Sequence, residues 1–111
     1  MREFQLGEFE EIVLLTVAVL FGEAYGVNIR HEIEHRLNRK VSVSALQTAL
    51  RRMEQKGYLE SSFGEATAIR GGKRKRYFRV TPFGKKALDS ARTARESLWM
   101  AIPKVAFEFD K

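Results

Sequence analysis

The chain has 111 residues, 44% hydrophobic and 31% charged, with no cysteine and a formal net charge of +6. That size and balance fit one globular domain with a single modest core and argue against wholesale disorder. The lack of cysteine excludes a disulfide framework, a thiol nucleophile, an iron–sulfur cluster and a thiolate zinc site, and it fits a reducing compartment.

The longest apolar run, Ile12 to Phe21 with Thr16 inside it, is about half of the ~18 residues that a membrane span needs. The acids that precede it do not make a secretory signal. A cytoplasmic, soluble protein with no membrane partner is therefore expected. Gly7 or Glu8 opens a first helix, with Glu8, Glu10 and Glu11 at the positive end of its dipole and Gly22 at its stop. Its middle is apolar nearly all round, so it needs a second covering surface, either within the chain or on another subunit.

Tyr25-Gly26 reads as a turn. A second helix follows from about Val27 to Arg39, with Ile29, Ile33 and Leu37 as its buried stripe. Val41 to Val43 reads as a short extended piece. Ser44 is a suitable N-cap for a third helix running to about Lys56, with Leu46, Leu50 and Met53 inward. Ser44, Gln47, Thr48, Arg51 and Arg52 then lie on or near its outward side, which carries no acid before Glu54. Such a face offers donors to phosphates and to base edges.

Tyr58 to Phe63 and Arg74 to Val80 read as two strands of a hairpin, with Leu59 and Phe63 on one face of the first and Phe78 and Val80 inward on the second. The glycine-containing connection is expected to be mobile. No acid occurs between Glu65 and Asp89, while Arg70, Lys73, Arg74, Lys75, Arg76, Arg79, Lys85 and Lys86 fall in that gap. These residues carry more charge than the whole chain nets, so the basicity is local. A basic hairpin tip suits a polyanion, because its cations displace counterions from phosphates.

Thr81-Pro82 is a strong helix start, with Thr as N-cap and Pro at the first helical position. In the helix that follows, Leu88, Ala91, Arg95, Leu98, Ile102 and Val105 recur at alternating spacings of three and four. This short heptad stripe suits packing against another helix, and so small a domain has little left to cover it, which favours a dimer. Pro103 should kink or stop the helix, leaving Phe107 and Phe109 in a loosely helical tail.

The resulting order is mainly α with a small antiparallel β-hairpin: a winged helix-turn-helix plus a long C-terminal dimerisation helix. Residues 1–81 form the expected DNA-binding part and residues 82–111 the dimerisation helix and tail, in one compact unit. The third helix would enter the major groove, and the hairpin would be the wing.

Four stretches resemble the PadR family of bacterial transcriptional regulators. They are Leu6-Gly7-Glu8-Phe9-Glu10-Glu11-Ile12-Val13-Leu14-Leu15, Ala24-Tyr25-Gly26-Val27, Leu50-Arg51-Arg52-Met53-Glu54-Gln55-Lys56-Gly57-Tyr58-Leu59, and the wing from Gly71-Gly72-Lys73-Arg74 through Tyr77-Phe78-Arg79-Val80-Thr81-Pro82 to Gly84. The resemblance spans about residues 6 to 90. It implies a homodimeric repressor whose N-terminal and C-terminal helices build the dimer, here Leu14, Val17, Leu88, Ala91, Leu98, Trp99 and Ile102. The family often has Tyr where this chain has Gln47. Members that bind planar molecules can place a Trp at the dimer centre. Here Arg95 aligns with it and Trp99 falls about one turn later, so Trp99 is the expected contact for a small aromatic ligand as well as an interface anchor.

His31-Glu32-Ile33-Glu34-His35 matches the zinc-protease pattern, but these are the chain's only histidines. The third ligand would have to be a carboxylate, and the Ile29-Ile33-Leu37 stripe turns both imidazoles to solvent. No phosphate-loop or nucleophile-elbow motif accompanies it. The expectation is no enzyme, no cofactor and no metal. The partner is double-stranded DNA, with Gln47 and Arg51 reading bases. Ser44, Thr48 and Arg52 would touch phosphates, and Arg70, Lys73, Arg74, Lys75 and Arg76 would hold the backbone. The rival reading is a winged helix that binds another protein's acidic surface.

Overall fold

The computed structural model describes residues 4–64 and 74–110. Four helices and one hairpin follow in order: α1 (Glu8–Val19), α2 (Gly26–Leu37), α3 (Val43–Gln55), β1 (Leu59–Phe63), β2 (Arg76–Val80) and α4 (Pro82–Ala101). A 3-10 turn, Lys104–Phe107, ends the chain. The four helices and the hairpin come in the expected order, but the short extended piece expected over Val41 to Val43 is no strand, and Val43 is already the first residue of α3. The hairpin connection, with Arg70 and Lys73, lies outside the described residues.

Helix α1 is the centre of the core. Its Val13, Leu14 and Val17 are fully buried with Ile29 and Ile33 of α2 and Leu46, Leu50 and Met53 of α3. Leu59 and Phe78 bring the hairpin onto the same core, and Ala87 brings α4. Leu14 and Val17, expected between subunits, thus leave no surface for another copy. Their side of α1 is taken by α2 and α3. The large apolar residues that α1 does expose are Leu15, Val19 and, just beyond it, Phe21.

Two further expectations change. Leu37 is exposed, because α2 ends there and Asn38 turns the chain away in the left-handed region at φ 51°. Phe63 is exposed as well, at the far end of β1, where the Arg74 and Arg76 guanidiniums lie over its ring.

The third helix begins earlier than the Ser44 cap implies. Ser42 is the N-cap, its Oγ accepting a hydrogen bond from the Ala45 N–H at 3.1 Å. Val41 explains this. Its side chain is buried, its carbonyl accepts from Arg30 Nε at 2.9 Å, and its N–H donates to Glu34 at 2.8 Å. With Val41 tied to α2 on both backbone groups, the chain enters α3 at the next residue that can cap it.

The β1–β2 pair is antiparallel, in the register Leu59↔Val80, Ser61↔Phe78 and Phe63↔Arg76. Tyr25, expected in a plain turn, extends this layer. It bridges Tyr77, and the Phe78 N–H donates to the Ala24 carbonyl at 2.8 Å.

Thr81 caps α4, with Pro82 at its first position. The next turn is pressed onto the hairpin base. A Cβ at Gly84 would stand 2.2 Å from the Tyr58 carbonyl oxygen, so only glycine fits there.

Past Ala87 the helix leaves the core. Leu98, Trp99 and Met100 are exposed. The radius of gyration is 17.4 Å, against roughly 13 Å for a compact chain of this length. Ile102 is extended, at φ −65° and ψ 122°, and ends the helix before Pro103. The tail then folds back, with Phe107 at 6.4 Å from Trp99 and Phe109 at 6.3 Å from Phe107, centroid to centroid. Among the described residues no helix is long and apolar enough to cross a membrane.

Candidate nucleic-acid interface

Helix α3 presents a polar strip to solvent. With Leu46, Leu50 and Met53 inward, positions 44, 48, 51 and 55 follow one another on the opposite side at the spacing of a single helix face. Ser44, Arg51 and Gln55 are exposed there and Thr48 is half-buried. Gln47 and Arg52 flank this strip on its two sides, both exposed. Since Ser42 supplies the cap, the Ser44 hydroxyl is not used for capping. Among the described residues none forms an ion pair with Arg51 or Arg52, so both guanidiniums remain available. Gln55 belongs to the strip although its residue type alone did not single it out.

The only acid on α3 is Glu54, and its charge is answered from the hairpin. Arg76 Nη2 donates to Glu54 Oε1 at 2.7 Å, Arg76 Nε donates to Ser61 Oγ at 3.0 Å, and Ser61 Oγ donates to Glu54 Oε2 at 2.6 Å. The guanidinium also lies over the Phe63 and Phe78 rings. Arg76 was expected among the free cations of the wing. It is instead the link that fixes the hairpin to the end of α3. This contact joins residues far apart in sequence and has no local signature.

Arg74 and Lys75 are exposed at the described edge of the hairpin. Lys75 Nζ sits 4.2 Å from the centroid of the Tyr25 ring. The Tyr25 hydroxyl beside it holds its ammonium above the usual lysine range. Tyr77 packs edge-on against Tyr25 at 5.5 Å, and Arg79 pairs across the strands with Glu60. Lys75 and α3 therefore share one side of the molecule, joined through Tyr25.

On the other flank Lys56 pairs with Glu10 at 3.1 Å and donates to the Gln5 carbonyl at 3.1 Å. This holds the segment before α1 against the end of α3. Glu8 is bound by Arg39 at 2.9 Å, and that hydrogen bond holds its carboxyl below the ordinary carboxylate range.

The residues expected at the dimer interface separate into two sets. Leu88, Ala91 and Ile102 are half-buried, and Leu98 and Trp99 are exposed. Arg95, which interrupts the apolar stripe, is paired with the buried carboxylate of Glu11 at 2.6 Å. That contact ties the second half of α4 to α1. A second apolar surface lies between α1 and α2, where Ile12, Leu15, Val19 and Leu37 line a groove of about 220 Å³. His31 and His35 are both exposed, and among the described residues no three His, Cys, Asp or Glu side chains are placed to hold a metal ion.

Comparison with known proteins agrees with this fold. Residues 14–90 match the sequence profile described as "Transcriptional regulator PadR-like family". A transcriptional regulator from Clostridium thermocellum, Cth-833, is 27% identical, with a TM-score of 0.67 over 92% of this chain and 92% of that one. A PadR family regulator from Eggerthella lenta DSM 2243 is 22% identical, with a TM-score of 0.68 over 92% and 88% of the two chains. A PadR-like regulator from Bacillus cereus strain ATCC 14579 is 17% identical, with a TM-score of 0.71 over 91% and 93%. The last two likenesses are of fold. No curated protein matches the sequence.

Proposed function

Because the chain belongs to the PadR-like family of transcriptional regulators, we propose that it is a homodimeric repressor that binds a pseudo-palindromic operator in double-stranded DNA. The family is one of DNA-binding transcription regulators, not of enzymes. The observation that carries the reading is the outward strip of α3, where Arg51 and Arg52 have no partner among the described residues and Glu54 is already neutralised by Arg76. In this reading α3 lies in the major groove. Gln47 and Arg51 reach base edges, where a bidentate amide or guanidinium contact discriminates between bases. Ser44, Thr48 and Arg52 meet phosphates.

The wing supplies charge without sequence. Arg70, Lys73, Arg74 and Lys75 hold the backbone, while Arg76 ties the hairpin to α3, Tyr77 packs it on Tyr25 and Arg79 braces its two strands through Glu60. Residues 1–81 read DNA and residues 82–111 dimerise. Dimerisation rests on the exposed apolar side chains Leu98 and Trp99 on α4 and Leu15 and Val19 on α1, with the half-buried Leu88 and Ala91 nearer the root of α4 and Ile102 just past its end. Each large side chain among them is worth roughly 1.5–3 kcal/mol on burial. Two such subunits would present their α3 helices to half-sites about one helical turn apart, or a multiple of it. The protein acts in the cytoplasm, and a small aromatic effector seated against Trp99 releases the operator by changing the separation of the two reading helices.

The test is the salt dependence of binding. Replacing Lys73, Arg74 and Lys75 together with Ala should weaken binding to every duplex and lower the slope of log K against log salt by up to about three phosphate contacts. An unchanged slope would reject the wing assignment. No binding to any duplex at low salt would reject the DNA-reading function and favour a partner protein.

A further inference from the structure

Beside Gln47 the start of α2, helix α3 and strand β2 leave a cleft of about 330 Å³. That is the small end of the ~300–1,000 Å³ range of ligand pockets. Its apolar lining comes from two sources. Leu46 and Phe78 are core residues with one side turned to the cleft, while Val27 and Val43 are 60% and 55% exposed. Two solvent-facing aliphatics on one concave surface are unexpected beside a face that otherwise offers polar groups to DNA. They leave apolar area that an occupant with an apolar body would cover.

The charged side chains at this cleft are all basic, and its amide and imidazole can donate as well. Lys75 brings its ammonium to the rim beside the Tyr25 ring. The Gln47 amide nitrogen lies 3.7 Å from the Cβ position at Gly26 and has no hydrogen-bond partner among the described residues. His31 adds an imidazole, also without a partner there. Arg30 and Arg76 line the cleft too, but their guanidiniums are committed to the Val41 carbonyl and to Glu54. No Asp or Glu is among the lining residues. A cavity with an apolar floor, a cationic rim and no acid among its lining residues selects a negatively charged occupant with an apolar body.

We propose that this cleft binds a small apolar organic anion, its head on Lys75 and the Gln47 amide and its body against Val27, Val43 and Leu46. The site is separate from Trp99 and needs only one subunit. Its occupation withdraws Gln47 and Lys75 from the duplex, so the anion and DNA exclude one another. That consequence rests on the DNA-reading role of α3 given above, whereas binding of the anion does not.

Octanoate is a suitable probe, with 1-octanol as its neutral control, in a ¹H–¹⁵N correlation titration of the full chain. Octanoate should move the Val27 and Val43 amides and the Gln47 side-chain amide along one saturable curve. Octanol should need roughly tenfold more to do so, and Lys75→Ala should weaken octanoate by about the same factor, the scale of one charge-assisted hydrogen bond at a partly exposed site. Octanoate should also raise the apparent Kd for a labelled duplex over the same concentrations. Shifts confined to the Trp99 region, equal response to octanol, or an unchanged Lys75→Ala curve would each overturn the proposal. So would cleft resonances that respond to duplex but not to octanoate, since the cleft would then seat only the DNA backbone. A chain that binds octanoate at the cleft and no duplex would leave this site standing and remove the DNA-reading function instead.

Discussion

Arg76 separates geometry from charge in the wing. Its guanidinium makes two hydrogen bonds, to Glu54 at 2.7 Å and to Ser61 at 3.0 Å, and its side chain is 50% exposed against 31% for Glu54. A charge-assisted hydrogen bond is worth about 1.5–3 kcal/mol when well shielded, and an exposed ion pair about 0.2–1 kcal/mol. Half exposure puts Arg76→Ala at about 1 kcal/mol of folding stability, or roughly 4 °C in Tm for a domain of this size. In a double-mutant cycle with Glu54→Ala, most of that should appear as coupling, at least ~0.5 kcal/mol. DNA binding should weaken because the hairpin loses its fixed position on α3, yet the salt slope should stay near the wild-type value. Lys75→Ala should instead lower the slope by about one contact with little change in Tm. Thermal denaturation together with anisotropy titrations at several salt concentrations reads all of these. Zero coupling to Glu54, or a slope that falls as far in Arg76→Ala as in Lys75→Ala, would refute the positioning role.

Three other outcomes follow from particular contacts. Ser42→Ala should cost about 1 kcal/mol of stability through the lost cap, while Ser44→Ala should leave stability unchanged and weaken duplex binding; equal loss of stability in both would contradict the capping assignment. Glu8 is held below the ordinary carboxylate range by Arg39. Its contribution is therefore full above that range and disappears as pH falls through the depressed folded value, so a Tm-against-pH series should drop less on the acid side for Glu8→Gln than for the wild type. Trp99→Ala combined with Leu98→Ala should shift the chain toward monomer in sedimentation at micromolar concentration without unfolding it, because neither side chain belongs to the core; an unchanged oligomeric state would place the interface elsewhere.

The parts of the fold that depend on neighbouring residues were legible in the sequence. Thr81-Pro82 begins α4 as expected, because cap and first-turn proline act within one turn. The Ile29, Ile33, Leu46, Leu50 and Met53 stripes are buried as their periods imply, since helix period alone decides which face turns inward. The errors arise where distant residues decide. Ser42 and Ser44 are equally good caps by type, and the choice between them is made by Arg30 and Glu34 through Val41. Leu14 and Val17 read as surplus apolar surface only if α1 is viewed without α2 and α3 packed on it. Arg76 looks like every other cation in its run until Glu54 and Ser61 are brought beside it. The cleft beside Gln47 had no signature at all, because Val27, Val43 and Lys75 come from three elements and meet only in the folded chain.

Selection of bound sequences from a random duplex pool, repeated with Arg51→Ala and Gln47→Ala, tests the central claim most directly. The wild type should enrich a pseudo-palindrome whose half-sites lie about 10 base pairs apart, or a multiple of that. Each variant should relax preference at particular positions in both halves, by roughly 1–3 kcal/mol of discrimination. Enrichment of no sequence, or of the same sequence with equal strength by all three proteins, would contradict the placement of α3 as the element that reads DNA.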